Sequence, residues 1–128
     1  MSSLLLDTHA FIWLSEDDPM LPMPLRDRIE QTDNVFVSIA SFWEISIKLS
    51  LGKLALATDF NDIETKFNAT RFQLLPISIK DTIKLSQLPL HHRDPFDRII
   101  IAQSISHALT IVSVDTAFDA YPIERIWD

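Results

Sequence analysis

Apolar residues are distributed along this chain in two ways. Short unbroken runs occur at Leu4-Leu5-Leu6, Val35-Phe36-Val37 and Ile111-Val112-Ser113-Val114, as expected of strands covered on both faces. Between them lie longer segments whose apolar residues return at helical spacing. Residues 8–16 predict a helix, with Phe11, Ile12, Trp13 and Leu14 spread around more of its circumference than a single stripe covers, so that it is central or meets a partner. Pro19, Pro22 and Pro24 mark a loop, and residues 25–31 read as a polar helix. Ser38 suits a cap for a long helix over 39–51, stopped by Gly52, the only glycine. Residues 59–69 predict a more polar helix. A third strand falls within 72–77, interrupted by Pro76, and a short helix over 78–87 ends before Pro89. Asp94-Pro95-Phe96-Asp97 opens a helix to about residue 108, whose Ile99, Ile100, Ile101, Ala102 and Ile105 face several directions and predict burial. Residues 123–127 add an edge strand.

Strands alternating with helices through short connections imply a parallel sheet flanked by helices, a three-layer α/β sandwich. At 128 residues the chain suits one domain, 1–128, and 47% hydrophobic with 23% charged residues is globular composition. With no cysteine there is no disulfide and no thiolate zinc site. The amino terminus lacks the basic region and the apolar stretch of about 7–15 residues of a signal peptide, and no apolar run approaches the roughly 20 residues of a membrane span. A cytoplasmic location without membrane association is expected. The net charge of −7 argues against nucleic acid, whose binding is driven by basic side chains, unless the acids gather where divalent cations neutralise them.

Such gathering is legible. In an open parallel sheet, ligands bind beyond the carboxyl ends of the strands where strand order reverses. Asp7 follows the first strand and Asp115 a late one, Asp97 occupies the first turn of the buried helix, and Glu44 lies within the helix after the second strand. Hard divalent ions are held by a few carboxylates, water and substrate phosphate, and they activate water near neutral pH without a side-chain nucleophile. Each acid also has an ordinary structural explanation. Asp94 and Asp97 are helix-start residues, Glu44 and Lys48 are spaced as a surface ion pair, and Asp7 and Asp115 suit caps. The residues alone leave both explanations open. They also admit another metal-dependent phosphohydrolase or a phospho-acceptor domain, though Asp7-Thr8-His9 lacks the paired acid those favour. A non-catalytic interaction module binding through Trp13 and Trp43 is the remaining alternative.

Four segments together resemble a known family. Leu-Leu-Leu-Asp-Thr-His-Ala-Phe-Ile-Trp (4–13), Ser-Ile-Ala-Ser-Phe-Trp-Glu-Ile-Ser-Ile-Lys (38–48), His-His-Arg-Asp-Pro-Phe-Asp-Arg-Ile-Ile-Ile-Ala-Gln (91–103) and Ile-Val-Ser-Val-Asp-Thr-Ala-Phe (111–118) look like the successive motifs of PIN domains, in particular the VapC branch of toxin ribonucleases. The resemblance spans nearly the whole chain, and its Asp-Pro-Phe-Asp-Arg block is the most specific part. It implies a parallel five-stranded sheet between helices and an endoribonuclease whose acidic pocket, Asp7, Glu44, Asp97 and Asp115, coordinates Mg²⁺ or Mn²⁺. Asp7 and Asp97 would be the most direct ligands. It further implies an RNA substrate, a homodimer, and a cognate antitoxin that wraps the domain and blocks the site.

Other residues are placed more simply. Asp94 is assigned to capping, and Thr8 and Thr116 to turns unless they orient a carboxylate. Arg93 and Arg98 are candidates for RNA phosphate or for balancing the acids. His91 and His92, adjacent rather than a helical turn apart, are expected in a surface loop. Glu16-Asp17-Asp18 is expected to be a solvated loop. Trp13, Phe42, Trp43 and Ile47 are core, or the groove for an antitoxin helix.

Overall fold

A computed structural model describes residues 3–92 and 94–127. The strands β1 (Leu4–Leu6), β2 (Val35–Ser38), β3 (Gln73–Leu75), β4 (Thr110–Val112) and β5 (Arg125–Ile126) form one sheet in the order β3-β2-β1-β4-β5, every neighbouring pair parallel. The α-helices are α1 (Thr8–Ser15), α2 (Met23–Gln31), α3 (Ile39–Ser50), α4 (Ile63–Asn68), α5 (Ile79–Gln87) and α6 (Pro95–His107). Single 3₁₀ turns occur at Phe60–Asp62 and Thr116–Ala120. The three-layer α/β/α sandwich expected from the sequence is thus present.

The unbroken apolar runs explain the layering. In β1, Leu4 and Leu6 point to one face with Val35, Val37 and Val112, where Phe11 and Ile12 of α1, Leu25 and Ile29 of α2 and Phe67 of α4 cover them. Leu5 points to the other face with Ile111, under Ile100 and Ile101 of α6. All three leucines of β1 are 1% exposed or less, so the central strand has no solvent face to polarise. Helix α3 lies across the boundary of the two layers. Its Ile45 joins the first face, while Ala40 packs with Ile99 and Ala102 of α6. A helix straddling α1 and α6 can bring a side chain of its own to both.

Strand order reverses between β1 and β4: the chain first moves outward from β1 to β2 and β3, then returns to β4 on the opposite side. The carboxyl ends of β1 and β4 therefore stand side by side at the switch point, where ligands bind in sheets of this kind. Differences from expectation are small. Residues 59–69 divide into a 3₁₀ turn and a short α-helix, and β4 ends at Val112, so Asp115 lies beyond a short connection. Ser38 caps α3 through Ala40 N–H, and Ser78 with Asp81 forms a complete capping box on α5. Among the described residues no helix is long and apolar enough to cross a membrane.

Candidate active site

The four acids singled out in the sequence converge at the switch point. Asp7 caps α1, its Oδ1 accepting the Ala10 N–H at 2.8 Å, and is 5% exposed. Asp115 caps the 3₁₀ turn that follows β4, accepting the Ala117 N–H at 2.9 Å. Ser113, fully buried between the two strand ends, links them. Its hydroxyl accepts the Asp115 N–H at 3.0 Å and hydrogen-bonds the Asp7 carboxylate. Asp97 stands in the first turn of α6, beneath Asp94, whose Oδ1 accepts the N–H groups of Phe96 and Asp97.

Glu44 reaches the group from α3. Its spacing to Lys48 also suited an ordinary surface ion pair; the pair exists, with Nζ 2.7 Å from Oε2, but Glu44 is only 3% exposed. Its other oxygen accepts the Thr8 hydroxyl at 2.7 Å, and the Ser41 hydroxyl lies 3.0 Å from that of Thr8. Thr8 therefore orients a carboxylate, whereas Thr116 lies in the exposed 3₁₀ turn. The buried position of Glu44 follows from α3 lying between α1 and α6.

Crowding leaves an electrostatic signature. Burial first, and then the charges of Asp94, Glu44, Asp7 and Asp115, push the Asp97 carboxyl up to about 8. Burial also raises Asp7, against the lowering effect of the Ser113 and Ala10 hydrogen bonds and the charge of His9. The Glu44 carboxylate raises the Lys48 ammonium in turn. A carboxyl whose ionisation is opposed by burial and by acidic neighbours marks a place where positive charge is wanted.

The donor set fits a metal ion. Ligand atoms of His92, Asp97 and Asp115 lie within 4.8 Å of one another, close enough to surround a single cation. His92 was expected in a surface loop, but its Nε2 lies 3.2 Å from Asp97 Oδ2 and 3.4 Å from Asp115 Oδ2. Tyr121 is responsible for that placement. Its buried hydroxyl accepts the backbone N–H of both His91 and His92 and donates to Pro89 O at 2.8 Å, fixing the turn that delivers the imidazole. Neither residue carried a sequence signal, since no periodicity joins a loop histidine to a tyrosine about thirty positions away.

The profile of the PIN domain matches residues 4–124. The chain belongs to the PIN-domain family. Among curated proteins, this PIN domain is 25% identical over 118 residues to "Ribonuclease VapC22" of Mycobacterium tuberculosis, a match covering 90% of this chain and 88% of that protein. Among solved structures, it is similar to DNA-bound VapBC from Salmonella typhimurium (TM-score 0.75, 20% identity, 100% of both chains). It is similar also to VapBC2 from Rickettsia felis bound to a promoter DNA fragment (TM-score 0.73, 16% identity, 98% of both).

Not every expected contributor to the PIN-domain site is available to it. Arg98 is engaged within the chain. Its guanidinium donates to Pro89 O at 3.0 Å and is directed at Leu85 O and Leu88 O, closing the carboxyl end of α5. Arg93 lies outside the described residues. Asp17 is solvated but paired with Arg26 at 2.9 Å, and Glu16 accepts the Ala57 N–H. Trp13 packs edge-on against Trp127 and Phe42 against Phe11 and Phe67, while Trp43 is exposed and edge-on to Phe96. Trp13 and Phe42 are therefore packed against the core, as expected, whereas Trp43 is not buried.

Proposed function

We propose that this chain is a metal-dependent endoribonuclease and the toxin of a toxin–antitoxin pair, acting as a single domain over residues 1–128 in the cytoplasm. The observation that carries the reading is the meeting of Asp7, Glu44, Asp97 and Asp115 at the switch point of the sheet, with Asp97 raised to about 8 by burial and by its acidic neighbours. Capping alone does not account for this. Asp7, Asp94 and Asp115 cap helices, but Asp97 and Glu44 do not, and their charges are driven together against a Coulombic penalty. The ribonuclease name of the Mycobacterium tuberculosis relative supports RNA as the substrate, and the VapBC complexes among the solved neighbours support an antitoxin partner.

In this reading Asp97 and Asp115, with Asp7, hold Mg²⁺ or Mn²⁺, and Glu44 completes the pocket. The bound ion supplies activation of water and neutralisation of charge on the phosphoryl oxygens. The chain's own residues set the geometry. Ala10 N–H and Ser113 hold the Asp7 carboxylate, Ser113 fixes the backbone at Asp115, and Thr8 and Lys48 hold Glu44. Oxygen donors from four separate elements are thereby pre-positioned, so little ordering is left for the moment of binding. A homodimer and an antitoxin covering the site complete the proposal. A cavity of about 320 Å³, with an apolar wall of Phe11, Leu14, Ile63, Phe67 and Phe72 and charged residues Asp17, Arg26, Glu30 and Lys66 beside it, offers an antitoxin segment an anchor outside the four-acid pocket.

The test is cleavage of a mixed RNA pool by protein freed of any copurifying partner, with Mg²⁺ or Mn²⁺, with EDTA, and with the Asp97→Asn variant. Cutting that needs metal and is lost in the variant is the expected result. A folded protein that cuts nothing with either metal and binds none would instead mark an interaction module.

A further inference from the structure

The pocket has two unlike flanks. On one, ligand atoms of His92, Asp97 and Asp115 lie within 4.8 Å of one another. On the other stands Glu44, 3% exposed, with both carboxylate oxygens already engaged: Oε1 by the Thr8 hydroxyl and Oε2 by the Lys48 ammonium, each at 2.7 Å. Lys48 and Glu44 lie one turn apart on the same helix, so the ammonium is delivered by the backbone that carries the acid. Its charge also interacts with those of Asp94 and Asp97, on the other side of the pocket.

We propose that Lys48 is the second cation of this pocket: one divalent ion is held on the Asp97–Asp115 side, and the Lys48 ammonium, locked onto Glu44, occupies the role of a second ion. This rests on the metal-dependent reading above and adds the stoichiometry and the division of labour among the acids. For a second ion to take Glu44, it would have to shed water and displace an ammonium from a nearly dry carboxylate. The lysine side chain is 36% exposed, so while one donor serves Glu44 the ammonium remains open toward solvent, where substrate phosphate would approach. Glu44 is on this account a positioning residue for Lys48, oriented by Thr8 and Ser41, and not a ligand of the divalent ion.

Counting bound Mn²⁺ on metal-stripped protein free of any partner decides the matter, using calorimetric titration with free Mn²⁺ followed by electron paramagnetic resonance. One ion is expected for the unaltered chain and two for Lys48→Met, whose bare Glu44 then recruits a cation. The double variant Lys48→Met with Glu44→Gln should return to one. Glu44→Gln alone, nearly isosteric and independent of whether Lys48→Met folds, should keep one ion with its dissociation constant within about threefold. Loss of a direct ligand, as in Asp97→Asn, should weaken binding by about tenfold or more. Two ions on the unaltered chain, a single ion on folded Lys48→Met, or a tenfold loss in Glu44→Gln would each overturn the assignment of Lys48 while leaving the metal-dependent reading intact. An unaltered chain that binds no Mn²⁺ at all would sink that reading and this inference together.

Discussion

Replacing Asp97 by Asn should make the metal-free protein more stable, and the gain should depend on pH. An ordinary aspartate carboxyl titrates near 3.8; burial first, and then Asp94, Glu44, Asp7 and Asp115, raise that of Asp97 to about 8 in the folded chain. A raised carboxyl pKa means that the folded state binds the proton more tightly than the unfolded one. The resulting penalty is absent below the unfolded value, grows as pH rises between the two values, and is constant above the folded one. At about 1.36 kcal/mol per unit, the interval from 3.8 to about pH 7.5 gives a ceiling of about 5 kcal/mol, against about 1.6 kcal/mol at about pH 5. Asparagine has no such titration. It forfeits the attraction of a negative side chain to the first turn of α6, worth up to about 1 kcal/mol. The expected outcome in EDTA is a variant more stable by about 2–4 kcal/mol at pH 7.5, corresponding to a rise in Tm of roughly 10 °C, with the difference shrinking by about 3 kcal/mol toward pH 5. Urea unfolding at the two pH values measures it. Saturating Mn²⁺ should narrow the gap, by about 1.4 kcal/mol for each tenfold by which the unaltered pocket binds the ion more tightly. A variant less stable than the parent at pH 7.5 in EDTA, or a difference indifferent to pH, would refute the claim that like charges are compressed at Asp97.

Tyr121→Phe removes the hydroxyl that takes the His91 and His92 N–H groups and donates to Pro89 O; a loss of about 2 kcal/mol in urea unfolding is expected, and the His92 imidazole resonance should broaden as its turn loosens. Ala108 ends α6 with φ +54°, a left-handed conformation that costs a residue with a side chain, so Ala108→Gly should raise stability by up to about 1 kcal/mol without changing RNA cleavage.

The layers and most element boundaries were legible because the apolar runs of β1, β2 and β4 and the caps Ser38 and Asp94 are local signals. The acids were legible for the same reason: two follow strands and one opens a helix. What escaped was nonlocal. The burial of Glu44 depends on α3 lying across α1 and α6, the placement of His92 on Tyr121, and the diversion of Arg98 on the carbonyl oxygens ending α5. None of these leaves a period or a spacing in the chain.

Three of the clustered acids, Asp7, Asp94 and Asp115, are also the residues that start helical turns. Their side chains answer to folding as well as to chemistry, whereas Glu44 and Asp97 cap nothing. A descendant of this chain released from selection for cutting would still be held to Asp, Asn, Ser or Thr at positions 7, 94 and 115, because those residues satisfy the first N–H groups of a helix. Position 97 would be free to drift toward neutral residues, and the drift would be favoured, since it removes a buried repulsion, whereas Glu44 would still be held by Thr8 and Lys48. Among related chains, loss of activity should therefore be recorded first at 97, in proteins that otherwise keep every turn of the fold.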